Sequence, residues 1–391
     1  MATQANSASC KSLFIIDSFH DEQIKSRLKS LVRQCLTFSE VCAEAEGALP
    51  TDVLHQLLRL HAENRTAELT RILQTVRTAD AHPPDPCFCE LENLLIDYDW
   101  RFDKSTADRL YRLLRDFESV LCLGTPTVFA LLAPLRRRDF LVDRNRLYSE
   151  IFGRAEDRVA YESVEDWNAT APSRTFGAVL LDPPWYLSSY FVWISVALRL
   201  LEPGGTLFLP LFPRLLRESA QWEISVLTKF LASLGTISVL PCRLKYETPS
   251  FEREYFARLD LPSLDGWRSA QLLAVRISQP ARPVDPRSVR PSHEQWFRYR
   301  FGTAVVAVKR SDEQTAVSLD VHDKVFFLDS VSKQDNRRQR VTAISSRNMA
   351  TCSQLGTALQ IQLRTMQKQG RLHTLSDPLI EAATKLGFCH D

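Results

Sequence analysis

Asp182, Pro183, Pro184 and Trp185 follow directly on the apolar run Phe176-Gly177-Ala178-Val179-Leu180-Leu181. Such a run suits a buried strand, and two consecutive prolines must end it, because neither donates a ladder hydrogen bond and both fix φ. An acid, a rigid pair of carbonyls and an indole are thus presented together at a strand's carboxyl end, where open α/β sheets bind ligands. These residue types suit an exocyclic amine, which offers two N–H donors and a nitrogen whose lone pair is delocalised into its ring. Asp182 can accept one donor, and the Pro183 carbonyl, held by Pro184, can accept the other. Together they favour a more tetrahedral nitrogen and aim it at an electrophile, by positioning and electrostatics and not by strong base catalysis. Trp185 adds a flat face on which a base can stack, worth ~1–3 kcal/mol per base in single-stranded nucleic acid. Taken alone, the four residues equally describe a strand-ending turn with an acid and a surface tryptophan.

A second constellation lies upstream. The apolar run Ser119-Val120-Leu121-Cys122-Leu123 ends on Gly124, and Thr125-Pro126 then opens the helix-compatible stretch Thr127 to Leu132. Gly124 permits close backbone approach or positive φ, Thr125 can cap the helix, and Pro126 suits its first turn. A further short strand, Asp139 to Val142, ends on Asp143, nineteen positions after Gly124. That is close to the ~20-residue interval at which an acid accepts from an adenosine ribose in dinucleotide folds.

The elements that must position these groups alternate. Arg158 to Tyr161 reads as a third strand, followed by the acid-rich Glu162 to Asn168, and the fourth strand carries the tetrad. Tyr190 to Leu201 reads as a helix, Glu202-Pro203-Gly204-Gly205 as a turn, and Thr206 to Phe212 as a strand. Thr236 to Leu240 and Ala270 to Ile277 complete a series of seven strands, an α/β pattern.

The series resembles a class I S-adenosylmethionine-dependent methyltransferase with a seven-stranded Rossmann-like sheet. The Asp182-to-Trp185 tetrad is similar to motif IV of amino methyltransferases that act on adenine N6. With tryptophan it is similar to the messenger-RNA adenosine methyltransferase type. That type usually places its cofactor loop after the tetrad, whereas Gly124 precedes it here. The linear order, with Leu121 to Pro126 and Asp97-Tyr98-Asp99-Trp100-Arg101-Phe102, looks more like a second N6-adenine methyltransferase family, which includes a ribosomal-RNA adenosine methyltransferase and a lysine methyltransferase of an elongation factor. The resemblance spans about residues 92 to 310.

It implies S-adenosylmethionine as cofactor, held by Leu123, Gly124, Thr125, Pro126 and Asp143, with Glu162 first and Asp166 second as contacts to its adenine. It implies Asp182, Pro183, Pro184 and Trp185 as the catalytic set. It also implies substrate contacts from Arg243, Lys245 and Tyr246, taken as a loop after the sixth strand. The loop here has Gly124 alone where many class I members have several glycines. The activity implied is methyl transfer to an exocyclic amine, adenine N6 in DNA or RNA, on a base unpaired or flipped to reach Asp182. Protein-lysine methylation and a non-catalytic nucleic-acid-binding subunit of the same fold are the alternatives.

The division expected is an N-terminal helical region over 1–90, the methyltransferase domain over 91–279 and a C-terminal α+β extension over 280–391. Glu22 to Phe38 carries apolar residues at helical spacing, Pro50-Thr51-Asp52 caps a second helix, and a third runs about Thr66 to Thr78. Such helices can pair with a second copy or a partner subunit, cover the cofactor, or simply pack. Glu247 to Asp265 reads as a hairpin or lid. The aromatic-basic run His293 to Arg300 leads to a β-rich stretch that reads either as a nucleic-acid reader or as an edge strand extending the main sheet. Leu355 to Met366 reads as an amphipathic helix.

The formal net charge is only +2, so bulk charge does not announce a nucleic-acid binder. The basic clusters Arg136-Arg137-Arg138, Arg214 with Arg217, Arg243 with Lys245, and Arg337-Arg338 with Arg340 are local candidates for phosphate contact. No apolar run reaches the ~20 residues of a membrane helix, and the amino terminus lacks a secretion signal, so the expectation is an intracellular, soluble protein, cytoplasmic or nuclear. Nine cysteines, scattered and many in apolar stretches, read as reduced, buried thiols. The Cys87-Phe88-Cys89 spacing does not suit a zinc knuckle, and no metal is expected.

Overall fold

A computed structural model describes residues 19–76, 100–134, 138–145, 148–152, 157–167, 175–262, 264, 266–278, 296–301, 304–309, 325–328, 341–345 and 349–351. Four helices come first: α1 (Phe19–Leu31), α2 (Phe38–Glu44), α3 (Pro50–Glu63) and α4 (Ala67–Gln74). Then follow α5 (Lys104–Leu114), β1 (Val120–Leu123), α6 (Pro126–Leu132), β2 (Phe140–Val142), α7 (Ser149–Phe152), β3 (Val159–Ala160), α8 (Val164–Trp167), β4 (Phe176–Leu181) and α9 (Leu187–Leu200). The series continues with β5 (Leu201–Leu211), α10 (Ala220–Leu234), β6 (Gly235–Lys245), α11 (Ser250–Arg258) and β7 (Ser269–Ile277). Five short strands close it: β8 (Trp296–Phe301), β9 (Ala304–Lys309), β10 (Val325–Phe327), β11 (Ala343–Ser345) and β12 (Met349–Thr351).

The first seven strands form one mixed sheet in the order β3-β2-β1-β4-β5-β7-β6, parallel except where β7 runs antiparallel to β5 and β6. This is the expected seven-stranded Rossmann-like architecture. Its central strands β1, β2 and β4 are buried on both faces, whereas the edge strand β6 is largely exposed. On one face Leu121, Leu123, Val179 and Leu181 pack with α9 and α10; on the other Val120, Cys122, Ala178 and Leu180 pack with α5 and α6. The strict alternation along β1 and β4 is the period-two signature of a strand.

Several elements differ from the sequence reading for local reasons. The Pro-Gly-Gly segment is not a free turn. It lies within β5 as an irregularity, because Phe176 pairs with Leu201 while Ala178 pairs with Thr206. Strand β6 extends to Lys245 through a second irregularity between Val239 and Arg243, so Arg243 and Lys245 stand on a strand and not on the loop beyond it. The single N-terminal helix expected over 22–38 is two. The Thr37 hydroxyl accepts from the Glu40 amide and Glu40 from the Thr37 amide, a capping box that starts α2 afresh. Helix α3 has Leu49 at its N-cap without a side-chain bond and Pro50 in its first turn. The segment after β6 is helix α11, not a hairpin.

The four N-terminal helices share an apolar core with residues far along the chain. Leu28, Phe38, Val53 and Leu57 pack in one cluster with Leu215, Phe256, Leu261, Leu264 and Trp267. One apolar face of these helices is therefore covered by α11 and by the segments that follow β5 and α11. Gly47, at φ +84, brings the α2–α3 turn so close to Pro213 that a Cβ would stand 2.3 Å from its Cγ. The Leu215 amide donates to Glu46 O at 3.0 Å.

Strands β8 to β12 form a separate antiparallel sheet in the order β10-β12-β11-β9-β8, so the aromatic-basic run is half of a β8–β9 hairpin and does not extend the main sheet. The strand content of the C-terminal extension is thus present. The helix expected at Leu355 to Met366, the proline-rich 82–86 joint, Cys87 to Cys89, Arg136 and Arg137, and Arg337 to Arg340 lie outside the described residues. Among the described residues, Cys35, Cys42, Cys122 and Cys242 are free thiols, the first three buried. No described helix is long and apolar enough to cross a membrane.

Candidate active site

The register of the parallel strands brings the sequence's two constellations to one level of the sheet. Leu123 pairs with Val142 on one side and with Leu181 on the other. Gly124, Asp143 and Asp182, each the next residue in its strand, therefore emerge side by side. Three backbone bonds hold them there: Gly124 N–H to Val142 O at 2.9 Å, Asp143 N–H to Ala160 O at 3.0 Å, and Asp182 N–H to Leu123 O at 3.0 Å.

Gly124 adopts φ +65, the left-handed region where glycine carries no steric penalty. A Cβ there would lie 2.8 Å from the Trp193 indole and 3.2 Å from Asp182 O. Pro126 opens α6 as expected. Thr125 stands at its N-cap without a side-chain cap bond. The Thr125 and Thr127 hydroxyls are buried without a conventional hydrogen-bond partner, apart from the closeness of Thr125 to the Cys122 thiol, which burial pushes up to about 12. Asp143 is half-buried, and its Oδ1 accepts from the Asn145 amide at 2.8 Å. Glu162 and Asp166 are exposed. Asp166 exchanges hydrogen bonds with Ser163 at the start of α8, and its neighbour Glu165 turns inward to accept from Trp193 Nε1 at 3.0 Å.

Asp182 is half-buried and accepts from the Tyr246 hydroxyl at 2.9 Å. No described cation pairs with it. Removal from water pushes its carboxyl up from 3.8 to about 8, against the pull of the Tyr246 hydroxyl and the Trp185 indole, both of which hydrogen-bond the charged form. The Tyr246 phenol is raised by burial first, then by the charges of Asp182 and Tyr190. The Pro184 carbonyl accepts from the Tyr186 amide at 2.6 Å, whereas the Pro183 carbonyl meets no donor among the described residues. The half-buried Trp185 meets Tyr246 edge-on at 5.4 Å between ring centroids.

Tyr246 is itself fixed from below. Its ring tilts against Phe102 at 5.0 Å, and Phe102 and Tyr246 form a backbone bridge. The Asp103 amide donates to Lys245 O at 3.0 Å and the Lys245 amide to Thr106 Oγ1 at 2.9 Å. The segment before β1 is therefore a clasp on the end of β6. The Lys245 side chain itself is exposed and lies along Gly266.

The remaining cations are engaged within the chain. Arg214 forms a two-pronged pair with Glu46, Nη2 to Oε1 at 2.7 Å. Arg243 reaches Glu44 and the Ala43 carbonyl and gives its Nε to Ser269 Oγ at 2.8 Å. Arg217 pairs with Glu223 and donates to the Trp185 carbonyl at 2.7 Å. Arg214 and Arg243 thus also fasten the sheet side to the N-terminal helices. As exposed pairs these contribute ~0–1 kcal/mol each, so apolar burial dominates that interface.

Sequence reasoning singled out neither Trp193 nor Glu165, nor the group formed by Arg268 with Trp100, Trp185 and Trp267. The Arg268 guanidinium lies 4.0 Å from the Trp100 ring centroid, 4.8 Å from that of Trp267 and 5.3 Å from that of Trp185. The dipeptide Trp267-Arg268 ahead of the last strand was the available signal. Trp193, inside an apolar helix, has none.

No family model matches the sequence, and no curated protein matches it. Solved structures similar to it include a variant of the branched-chain polyamine synthase of Thermus thermophilus, 13% identical, with a TM-score of 0.47 over 68% of this chain and 89% of that one. The Thermus thermophilus 16S rRNA N2 G1207 methyltransferase is 14% identical, with a TM-score of 0.31 over 57% of this chain and 51% of that one. The N-methyltransferase NodS of Bradyrhizobium japonicum is 15% identical, with a TM-score of 0.31 over 45% of this chain and 99% of that one. The likeness is one of fold.

Proposed function

We propose that the chain transfers the methyl group of S-adenosylmethionine to an exocyclic amine, adenine N6 in DNA or RNA. The observation that carries this reading is a carboxyl group at the carboxyl end of β4 with a hydroxyl donor on one oxygen and no opposing cation among the described residues, next to an unclaimed proline carbonyl and beside the glycine turn of the neighbouring strand. Two acceptors and an adjacent indole are what a planar aromatic amine requires.

The residues fit the cofactor. A glycine at positive φ, two buried threonine hydroxyls without conventional partners and an acid at the end of the neighbouring strand are polar and steric provisions for an adenosyl amino acid. Leu123, Gly124, Thr125, Pro126 and Asp143 would hold it, with the loop bearing Glu162 and Asp166 beside its base. The cofactor supplies an electrophilic methyl on a cationic sulfur. This chain's residues do the rest: Asp182 and Pro183 O orient the amine, Trp185 stacks the base, and Tyr246 fixes the carboxylate. Asp182, with its carboxyl at about 8, can take up the proton that the amine gives up. Lys245 is free to meet substrate. Arg214 and Arg243 can do so only by exchanging Glu46 and Glu44 for phosphate.

That basicity also favours a second reading, an aliphatic amine on a protein, because an alkylammonium must lose a proton before it can attack. Incubation with labelled cofactor, followed by mass spectrometry of nucleosides and proteins, separates the two. Asp182→Ala is expected to abolish transfer with cofactor affinity largely kept; undiminished product from this variant refutes the assignment.

A further inference from the structure

Arg268 is the cation for which the arrangement above has no use. It is half-buried, and its Nε is shut off from solvent without a hydrogen-bond acceptor. Its Nη atoms bond no described residue, and no described carboxylate forms an ion pair with it. The nearby acid, Glu252, accepts instead from Trp267 Nε1 at 3.2 Å. The contrast with Arg217 is informative, since that guanidinium is neutralised by Glu223 and tied to the Trp185 carbonyl. A desolvated guanidinium lacking a hydrogen-bonded counter-charge is costly, and three indoles offset only part of that by cation–π attraction. Their contacts leave the edge of the fork for hydrogen bonds.

Its place in the fold is also specific. Trp185 and Tyr246 link Arg268 to Asp182 by direct contacts: the guanidinium lies 5.3 Å from the Trp185 ring, that ring meets Tyr246 at 5.4 Å, and the Tyr246 hydroxyl donates to Asp182 at 2.9 Å, while the Tyr246 amide donates to Arg268 O at 3.2 Å. Trp100, the closest of the three rings, packs against each of the three core clusters, to which the main sheet, the N-terminal helices with Trp267, and the C-terminal sheet contribute. The guanidinium therefore stands where all three parts of the chain meet, beside the indole proposed to stack the base.

We propose that Arg268 receives a phosphate of the nucleotide whose base amine is held by Asp182. This rests on the adenine reading above and adds to it a recognition element for the nucleotide over the free nucleoside. A phosphate held by the guanidinium fork through paired N–H donors supplies the hydrogen-bonded counter-charge that no described carboxylate provides.

The test is equilibrium binding of adenosine and of adenosine 5′-monophosphate to the full chain by calorimetry, with adenine methylation measured in parallel. The wild type is expected to prefer the monophosphate by roughly ten- to hundredfold, the range of a charge-assisted hydrogen-bonded contact. Arg268→Gln is expected to bring that ratio to about one while adenosine affinity stays as it was. With a single-stranded oligonucleotide, the salt dependence of log K should fall by about 0.7 in the variant, one phosphate's share. A wild-type ratio of one, or a preference that survives Arg268→Gln, overturns the assignment. Should that variant fail to fold, Arg268→Lys keeps a charge without the fork and is expected to retain only part of the preference; full retention refutes the role. Adenine methylation without any phosphate preference sinks the role of Arg268 alone. A preference that depends on Arg268 without methylation of any adenine sinks the adenine reading alone.

Discussion

Tyr246→Phe removes one hydroxyl and leaves the ring that packs on Phe102 and Trp185, so it isolates the hydrogen bond to Asp182. The carboxyl stands at about 8 with that bond in place, so about one tenth of it is ionised at pH 7. A hydrogen bond to a charged group contributes ~1.5–3 kcal/mol, and each 1.36 kcal/mol corresponds to one pH unit, so its loss raises the carboxyl by roughly 1–2 units. At pH 7 the ionised fraction, and with it kcat/KM, should fall by roughly ten- to hundredfold. Because the defect is one of protonation, it should be largely recovered as pH rises above 9. The cationic sulfur of the cofactor lowers the carboxyl in both proteins alike, so the displacement between the two pH profiles is the quantity predicted. The assay is kcat/KM for methyl transfer across pH 6 to 10 for wild type and variant. A loss equal at every pH, or no loss, refutes the coupling of Tyr246 to Asp182.

Two further outcomes follow from the same geometry. Asp143→Ala should weaken cofactor binding, since Asp143 ends β2 beside the Gly124 turn; an unchanged calorimetric affinity removes it from the site. Glu252 is buried, and burial raises its carboxyl from 4.5 to about 7 against the pull of the Arg268 charge and the Trp267 indole. A folded-state value above the unfolded one means stability that is full below pH 4.5 and is lost as pH rises through 7, roughly 3 kcal/mol in all. Glu252→Gln keeps an acceptor for Trp267 and should flatten urea stability between pH 5 and 8, leaving the contribution of Asp182; identical slopes in both proteins would exclude Glu252 as the source.

The strands, their order in the chain and the level at which Gly124, Asp143 and Asp182 emerge were legible, because each depends on local signals. Apolar runs end on Gly, Asp or Pro, and parallel pairing then aligns the ends. The hydrogen bond from Tyr246 to Asp182 was half legible, since Tyr246 stood out but its partner is 64 residues away. Arg214 and Arg243 looked like a phosphate track because charge clusters in sequence carry no record of the acids that meet them in space. Glu46 lies 168 residues before Arg214, and Glu44 lies 199 before Arg243. Trp193 was illegible for the same reason, and Trp267-Arg268 before a strand was only a faint signal: an indole in an apolar helix and an arginine beside a tryptophan acquire meaning from what the tertiary fold sets beside them.

The shared core of the first helices with Leu215, Phe256 and Trp267 has a consequence for biosynthesis. At translation speeds of 5–20 residues per second, the 199 residues between Glu44 and Arg243 take roughly 10–40 s to appear, and until after then Phe38, Val53 and Leu57 can pack only with their neighbours in the first helices and with Leu215, not with Phe256, Leu261 or Trp267. The core of the first helices is thus sealed only after most of the chain has been synthesised.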